Sequence, residues 1–315
     1  MLAGIACGAA AGALWGLVFL APELVGGFGP LQLTVGRYLA YGAIAALLIA
    51  PEWKRLRAAL TGRDWLVLAW LALMGNVFYY VLLAAAVQNG GIAMTSLVIG
   101  FLPVVVTMVG SRDHGAPSLA RLAPSLLLCA AGALCIGWQA VAGPGEGSRQ
   151  VLGLFCAIGS LASWATFAVG NSRALARLDM VSPHGWSLLI GIMTGVEALL
   201  LLPAAMLVEP TGHAAGAWLQ FAGVSIGVAI LASIAGNALW NRMSRLLPLT
   251  MVGQMILFET LFALIYGFIW EQRWPRLLEI AAFALVVASV LSCIAAHRER
   301  ARLEGAGNQQ SVAGP

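Results

Sequence analysis

Three charged residues fall inside long apolar runs: Arg37, Glu197 and Glu259. A charge at the middle of a membrane helix costs at least about 2.5–3.5 kcal/mol on insertion scales, so each needs a partner or a task. Glu259 is the deepest, near the centre of the run 249–270. A carboxylate there could meet the ammonium of a solute or take up a proton. The alternative is satisfaction by a neighbouring helix, through an Arg or an Asn. Glu197 lies toward the end of its run and can reach the interface, which favours a structural role. Arg37, seven residues into the run 31–50, can snorkel outward or pair internally, and is also read as structural.

Uncharged polar residues form stripes. Ser233, Asn237, Asn241 and Ser244 recur at helical spacing on one face. Asn76 and Tyr80 are four apart with Tyr79 beside them, and Ser96, Gly100, Pro103 and Thr107 make a comparable face. Buried amides seek partners, so hydrogen bonding between helices is the plain reading of any single one. Several stripes in both halves of the chain point to a shared polar cavity. Trp15, Trp164, Tyr79 and Tyr80 would give it aromatic walls, suited to a solute with a cationic group and an apolar side chain; ordinary packing is the alternative for each. Gln254 shares a run with Glu259, but five residues place it about 140° around the axis, so it is the weaker candidate.

The elements that must hold these residues are membrane helices. Hydrophobic residues make up 61% of the 315 and charged residues 10%; lipid must be the solvent for most of the chain. About 20 apolar residues cross a bilayer core, and ten runs qualify: 3–21, 31–50, 65–86, 91–110, 120–142, 150–170, 183–203, 217–240, 249–270 and 275–296. The opening run places glycines at Gly4, Gly8, Gly12 and Gly16 with Trp15 among them. Glycines four apart line one side of a helix and admit a neighbour almost to the backbone.

The pattern then recurs. Cys7 and Trp15 return as Cys156 and Trp164 at the same spacing; Pro30 and Pro183 open equivalent runs, the latter behind Ser182 as an N-cap; Trp65-Leu66 is echoed by Trp218-Leu219. The repeat is near 150 residues, right for a duplicated five-helix half. With the N-terminus cytoplasmic, the inner segments carry thirteen Lys and Arg, among them Lys54, Arg112, Arg177 and Arg242, against Arg149, Arg273 and Arg276 outside. The uncharged Gln88-Asn89-Gly90 loop corresponds to one holding Arg242 and Arg245, so charge follows the side and not the repeat position. An odd number of helices per half inserts the second copy upside down. The expected organisation is therefore an all-α membrane protein of ten helices in two inverted repeats, 1–142 and 150–303, with an outer linker at 143–149 and a disordered cytoplasmic tail at 304–315.

Several functions are disfavoured. The basic residues sit between apolar runs and form no nucleic-acid patch. Cys7, Cys129, Cys135, Cys156 and Cys293 fall in apolar runs without a C-x-x-C, and the four histidines are scattered, so neither disulfide, metal site nor cofactor is expected. No H-E-x-x-H, G-x-S-x-G or P-loop is present and no catalytic residue is assigned. The opening run lacks a basic leader and belongs to the repeat, so it is read as a retained span. Trp53, Trp65, Trp138, Trp186, Trp218, Trp240, Trp270 and Trp274 lie near span ends, where an interfacial belt is expected; Trp15, Trp70 and Trp164 lie deeper.

These residues resemble the drug/metabolite transporter superfamily, EamA type. Arg37-Tyr38-Leu39-Ala40 looks like its Arg-aromatic-x-x-Ala signature and Leu102-Pro103-Val104 its Pro-Val step. Phe258-Glu259-Thr260 resembles its Glu-Pro, with Thr260 at the proline, and Trp270-Glu271 the following Gly-Glu. Ala238-Leu239-Trp240-Asn241 is similar to a Trp-Asn step in bacterial aromatic amino acid exporters. The resemblance implies two inverted five-helix halves around a cavity that opens alternately to either side. It also implies efflux of amino acids, aromatic or hydrophobic ones preferred, across the bacterial inner membrane. The expected site is Trp15, Asn76, Tyr79, Tyr80, Ser96, Trp164, Asn237, Asn241, Gln254 and Glu259, in a protein whose partners are its small-molecule solute and the bilayer, as a monomer. The rivals are export of other metabolites or cationic drugs by the same fold, and, from another class, an intramembrane enzyme or a non-transporting scaffold.

Overall fold

The computed structural model describes residues 2–110, 119–142, 147–178, 181–246, 255–289, 291–292 and 295–296, and every regular element among them is helical. In chain order these are α1 (Leu2–Leu24), α2 (Pro30–Ile49), the short α3 (Trp53–Ala59) and α4 (Gly62–Ala72). A π-helical segment, Leu73–Val77, then leads into α5 (Phe78–Ile99) and α6 (Leu102–Gly110). After these come α7 (Leu119–Ala142), α8 (Gly147–Arg177), α9 (Pro183–Val208) and α10 (Ala215–Val228). A second π segment, Ala229–Gly236, is followed by α11 (Asn237–Leu246), α12 (Ile256–Trp270) and α13 (Leu277–Ser289).

Among the described residues six helical stretches are long and apolar enough to cross a membrane: Leu2–Leu24, Pro30–Ile49, Gly62–Ile99, Gly147–Leu175, Pro183–Val208 and Ala215–Trp240. Ala120–Gly132, Ile256–Trp270 and Leu277–Ser289 are shorter apolar helices. The stretch Gly62–Ile99 covers 38 residues where the sequence predicts two runs. The division is still visible, because Gly91 has φ 81° and ψ 166° and breaks the helical path beside the expected boundary. Only glycine adopts such a φ without strain. The tail from 304 lies outside the described residues, as does Gln254.

The helix ends follow local chemistry. Pro30 and Pro183 each occupy the first turn, and the Ser182 hydroxyl accepts from the Gly185 amide at 3.0 Å. The exposed amides at the start of α2 are satisfied from far along the chain: both Glu209 carboxylate oxygens accept, from Leu31 N and Gln32 N at 2.8 Å each. A negative charge against a helix N-terminus is favourable twice over, as acceptor and against the dipole. At α4, Thr61 and Asp64 form a reciprocal capping box, and Asp64 also accepts from Arg177 on α8 at 2.9 Å. Beyond α12, Arg273 pairs with Glu271 and, through two 2.7 Å bonds, with Glu279. The Glu279 carboxylate is the main reason the Arg273 guanidinium is held above its ordinary pKa.

Packing is set by small residues. The glycine side of α1 receives α12: a Cβ on Gly8 would lie 2.8 Å from Met255 Cγ, and one on Gly12 would lie 2.6 Å from Phe258 Cβ and 2.8 Å from Glu259 N. On Gly16 it would be 3.0 Å from Ala263 N. The groove read from the sequence is thus filled by the helix that carries Glu259. α2 and α9 meet the same way, because a Cβ on Gly42 would lie 2.6 Å from Gly195 Cα and one on Gly195 2.8 Å from Gly42 Cα. This pair runs antiparallel, Gln32 near Glu209 at one end and Ala45 near Gly191 toward the other. Gly42 and Gly195 are 153 apart, the same separation as Pro30 and Pro183 and as Trp65 and Trp218.

One reading is corrected. Trp186 is 1% exposed, with its indole N–H donating to Asn171 Oδ1 at 2.7 Å, so it belongs to the core and not to an interfacial belt. A polar partner on α8 lets the ring be swallowed whole. Trp138, Trp270 and Trp274 stay largely exposed, as a belt requires. Trp70, expected deeper, keeps an exposed face.

Gly12→Ala should cost about 1–3 kcal/mol through overpacking against the α12 backbone, seen as a lower thermal midpoint in detergent. Gly223→Ala, whose Cβ would meet nothing within 4 Å, should leave that midpoint unchanged or raised.

Candidate functional site

Arg37 and Glu259 are brought into one neighbourhood by helices from opposite halves of the sequence. Arg37 projects from α2 and is 8% exposed; Glu259 projects from the first turn of α12 and is 9% exposed. They are close enough to interact electrostatically, yet no ion pair within 4.0 Å joins them. The Arg37 guanidinium lies between two rings, 4.5 Å from the Tyr80 centroid and 4.9 Å from that of Tyr38. Its Nη2 donates to Ser233 Oγ at 3.2 Å. Tyr38 and Tyr80 meet edge to face at 5.8 Å, and both are fully buried. Tyr79 is electrostatically coupled to Glu259, Arg37, Tyr38 and Tyr80. Tyr41, one turn on from Arg37, donates to Ser187 O at 3.1 Å and has the Asn237 side chain beside its hydroxyl. Among the described residues nothing hydrogen-bonds the Glu259 carboxylate.

The two π segments flank this layer. A π turn inserts one residue per turn and displaces backbone carbonyls from their usual partners. Both segments hand a carbonyl to a side chain from the other half: Ser163 Oγ on α8 donates to Met74 O at 2.6 Å, and Trp15 Nε1 on α1 donates to Ala232 O at 3.0 Å. Each segment also holds a glycine that admits an aromatic ring. A Cβ on Gly75 would lie 2.4 Å from Phe167, and one on Gly236 2.6 Å from Trp15 Nε1.

The expected site residues divide accordingly. Tyr79, Tyr80, Asn237 and Glu259 come together. Trp15 is spent on Ala232 and on the Trp240 ring at 4.9 Å. Asn76 lies within the first π segment and donates to Thr194 Oγ1 on α9 at 2.9 Å, the plain reading of a buried amide. Ser96 is fully buried and donates to Ala93 O on its own helix. Trp164 is half-buried, 5.8 Å from the Phe167 ring. The side chain of Asn241 and all of Gln254 lie outside the described residues. Glu197 leaves Oε2 buried without a partner. Sequence reasoning placed Ser233 on a polar stripe and read Arg37 as structural, and it missed Tyr38 and Tyr41 as members of the layer. The available signal was an arginine in an apolar run followed by tyrosines one and four residues later.

Apolar helices too long and too uniformly hydrophobic for a water-soluble core, joined by polar clasps at their ends, define a multi-pass integral membrane protein. The EamA-like transporter family model matches residues 2–138 and 151–294, and the chain belongs to that family. It is 31% identical over 327 residues to the inner membrane protein YtfF of Escherichia coli (strain K12), covering 95% of this chain and 97% of that protein. A solved crystal structure with 19% identity superposes with a TM-score of 0.62 over 94% of this chain and 98% of that one, a likeness of fold alone.

Trp15→Phe keeps a ring but removes the donor to Ala232 O, and Ser163→Ala strips Met74 O in the same way. Each should destabilise by about 1–3 kcal/mol, the range for a buried polar group left unpaired, measured by unfolding in detergent. Thr166→Ala, which removes only an exposed bond within its own helix, should cost less than either.

Proposed function

We propose that the protein is a secondary transporter that exports amino acids, aromatic or hydrophobic ones preferred, across a bacterial inner membrane by alternating access. Its two inverted five-helix halves span 1–142 and 150–303, with both termini cytoplasmic. Four features support the inverted halves. The family model matches once in each half. α2 and α9 cross antiparallel at Gly42 and Gly195, equivalent positions of the repeat, as a two-fold axis in the membrane plane demands. The π segments occupy corresponding places, and each is held by the first helix of the opposite half. Lys and Arg are biased to one side of the expected topology. The location agrees with that of YtfF.

The observation that carries the function is the layer at the seam: one buried cation, one buried carboxylate that no described residue hydrogen-bonds, and tyrosines around them. Charges held this deep without a direct ion pair suit a passing zwitterion better than they suit fold stability. Tyrosine rings accept an apolar or aromatic side chain and tolerate its variation. Rocking of the halves about the α2–α9 contact would expose the layer to one side and then the other, with the glycine faces of α1, α2 and α9 allowing close sliding.

Reconstituted liposomes loaded with labelled L-phenylalanine should release it faster than empty-vesicle controls, and Glu259→Gln should reduce that flux at least tenfold without loss of folded protein. No flux for any hydrophobic amino acid would reject the substrate class, and full activity of Glu259→Gln would reject the role of the carboxylate.

A further inference from the structure

Among the described residues Arg37 is the one side chain with two buried nitrogens that lack a hydrogen-bond partner. Its Nη2 donates to Ser233 Oγ and the Tyr80 hydroxyl lies close by, but among the described residues Nε and Nη1 are sealed from solvent without an acceptor. The two tyrosine rings offset part of the charge through their π faces, but a ring does not replace the in-plane acceptors that five N–H groups require. A buried arginine kept solely for structure normally ends with its donors used. Here the opposite charge is in the neighbourhood and is not taken: among the described residues no ion pair within 4.0 Å joins Glu259 to Arg37. The cation and the anion come from α2 and α12, which belong to different halves of the sequence.

We propose that Arg37 is the carboxylate anchor of the transported solute, so that the amino acid binds as a zwitterion with its carboxylate on Arg37 and its ammonium on Glu259. The inference rests on the amino-acid reading of this same site. Nη2 carries two hydrogens, enough to keep Ser233 and to serve one carboxylate oxygen while Nη1 serves the other, the fork geometry that arginine matches best. Tyr38 and Tyr80 cover the guanidinium in the present conformation. The anchor is therefore occluded here; its neighbours from the second half, Ser233 and Glu259, are the ones that withdraw from it when the halves rock. A solute bearing both charges on adjacent carbons would bring its carboxylate to Arg37 and its ammonium to Glu259. A site built to bind a charged group rejects an analogue that lacks it, because its own polar atoms are then left unpaired.

The experiment measures displacement of labelled L-phenylalanine from the purified full chain by unlabelled L-phenylalanine and by L-phenylalaninamide, which keeps the ammonium and the ring but has no carboxylate. The wild-type protein should prefer the acid over the amide at least tenfold. In Arg37→Gln the preference should fall to threefold or less, through loss of acid affinity, and in Arg37→Lys it should be intermediate. Because the quantity read is a ratio within one preparation, partial misfolding does not imitate the result. Equal wild-type affinity for acid and amide overturns the anchor whether or not the variants fold, as does a tenfold preference that persists in Arg37→Gln; both leave amino acid transport intact. Failure of the wild type to bind labelled L-phenylalanine or any other hydrophobic amino acid overturns the transport reading and the anchor together.

Discussion

A charge inside a bilayer must be answered by the protein, because no water is at hand to answer it. Arg37 imposes that demand at the centre of this fold. Its surroundings are organised by the partial answer the helices give: two tyrosine faces, one serine hydroxyl, and a carboxylate within electrostatic reach that forms no ion pair with it within 4.0 Å. Every element near it comes from a different stretch of sequence. α2 supplies the guanidinium, α5 the rings of Tyr79 and Tyr80, the second π segment Ser233, and α12 Glu259. The layer exists only when the halves are assembled, so on the proposed transport reading binding there would be coupled to movement of the halves.

The helices reach this arrangement through backbone proximity instead of bulky interdigitation. In lipid the hydrophobic effect does not drive one apolar helix onto another, so close van der Waals contact and occasional hydrogen bonds must hold the bundle. Gly8, Gly12 and Gly16 bring α12 against α1, and Gly42 and Gly195 bring α2 against α9. Such faces are flat and can slide. The charged clasps, by contrast, lie near helix ends: Glu209 on the start of α2, Arg177 on Asp64, Glu279 on Arg273. Between them the contacts are close glycine faces and uncharged bonds such as Asn76 to Thr194 and Ser163 to Met74 O.

Much of the fold was legible because lipid makes sequence patterns blunt. Apolar length located six long helical stretches among the described residues, fewer than the ten runs expected. Pro30 and Pro183 marked two helix starts to the residue, and the Gly4–Gly16 series announced a helix at close range. The π segments were not legible: a glycine among apolar residues, as at Gly75 and Gly236, does not say whether the helix is α or π. Nor was the membership of the site. Asn76 and Ser96 stand on polar stripes but spend their donors on Thr194 and Ala93. Trp15 spends its own on a displaced carbonyl. A stripe shows that a helix has a polar side; it does not show which neighbour consumes it. Arg37 was read as structural because one sequence cannot reveal that two of its nitrogens end without acceptors. Trp186 was assigned to the interface because its partner, Asn171, lies on another helix.

The central claim is that the layer around Arg37 lies on a solute pathway and is not a sealed core. Ser233, which contacts Arg37, reports on this directly when replaced by cysteine in a chain whose native cysteines are changed to alanine. A small water-soluble thiol reagent should label Ser233→Cys in proteoliposomes, and saturating L-phenylalanine should slow that labelling several-fold. A cysteine there that stays unreactive from both sides of the membrane, or reacts at the same rate with and without the amino acid, would contradict the account.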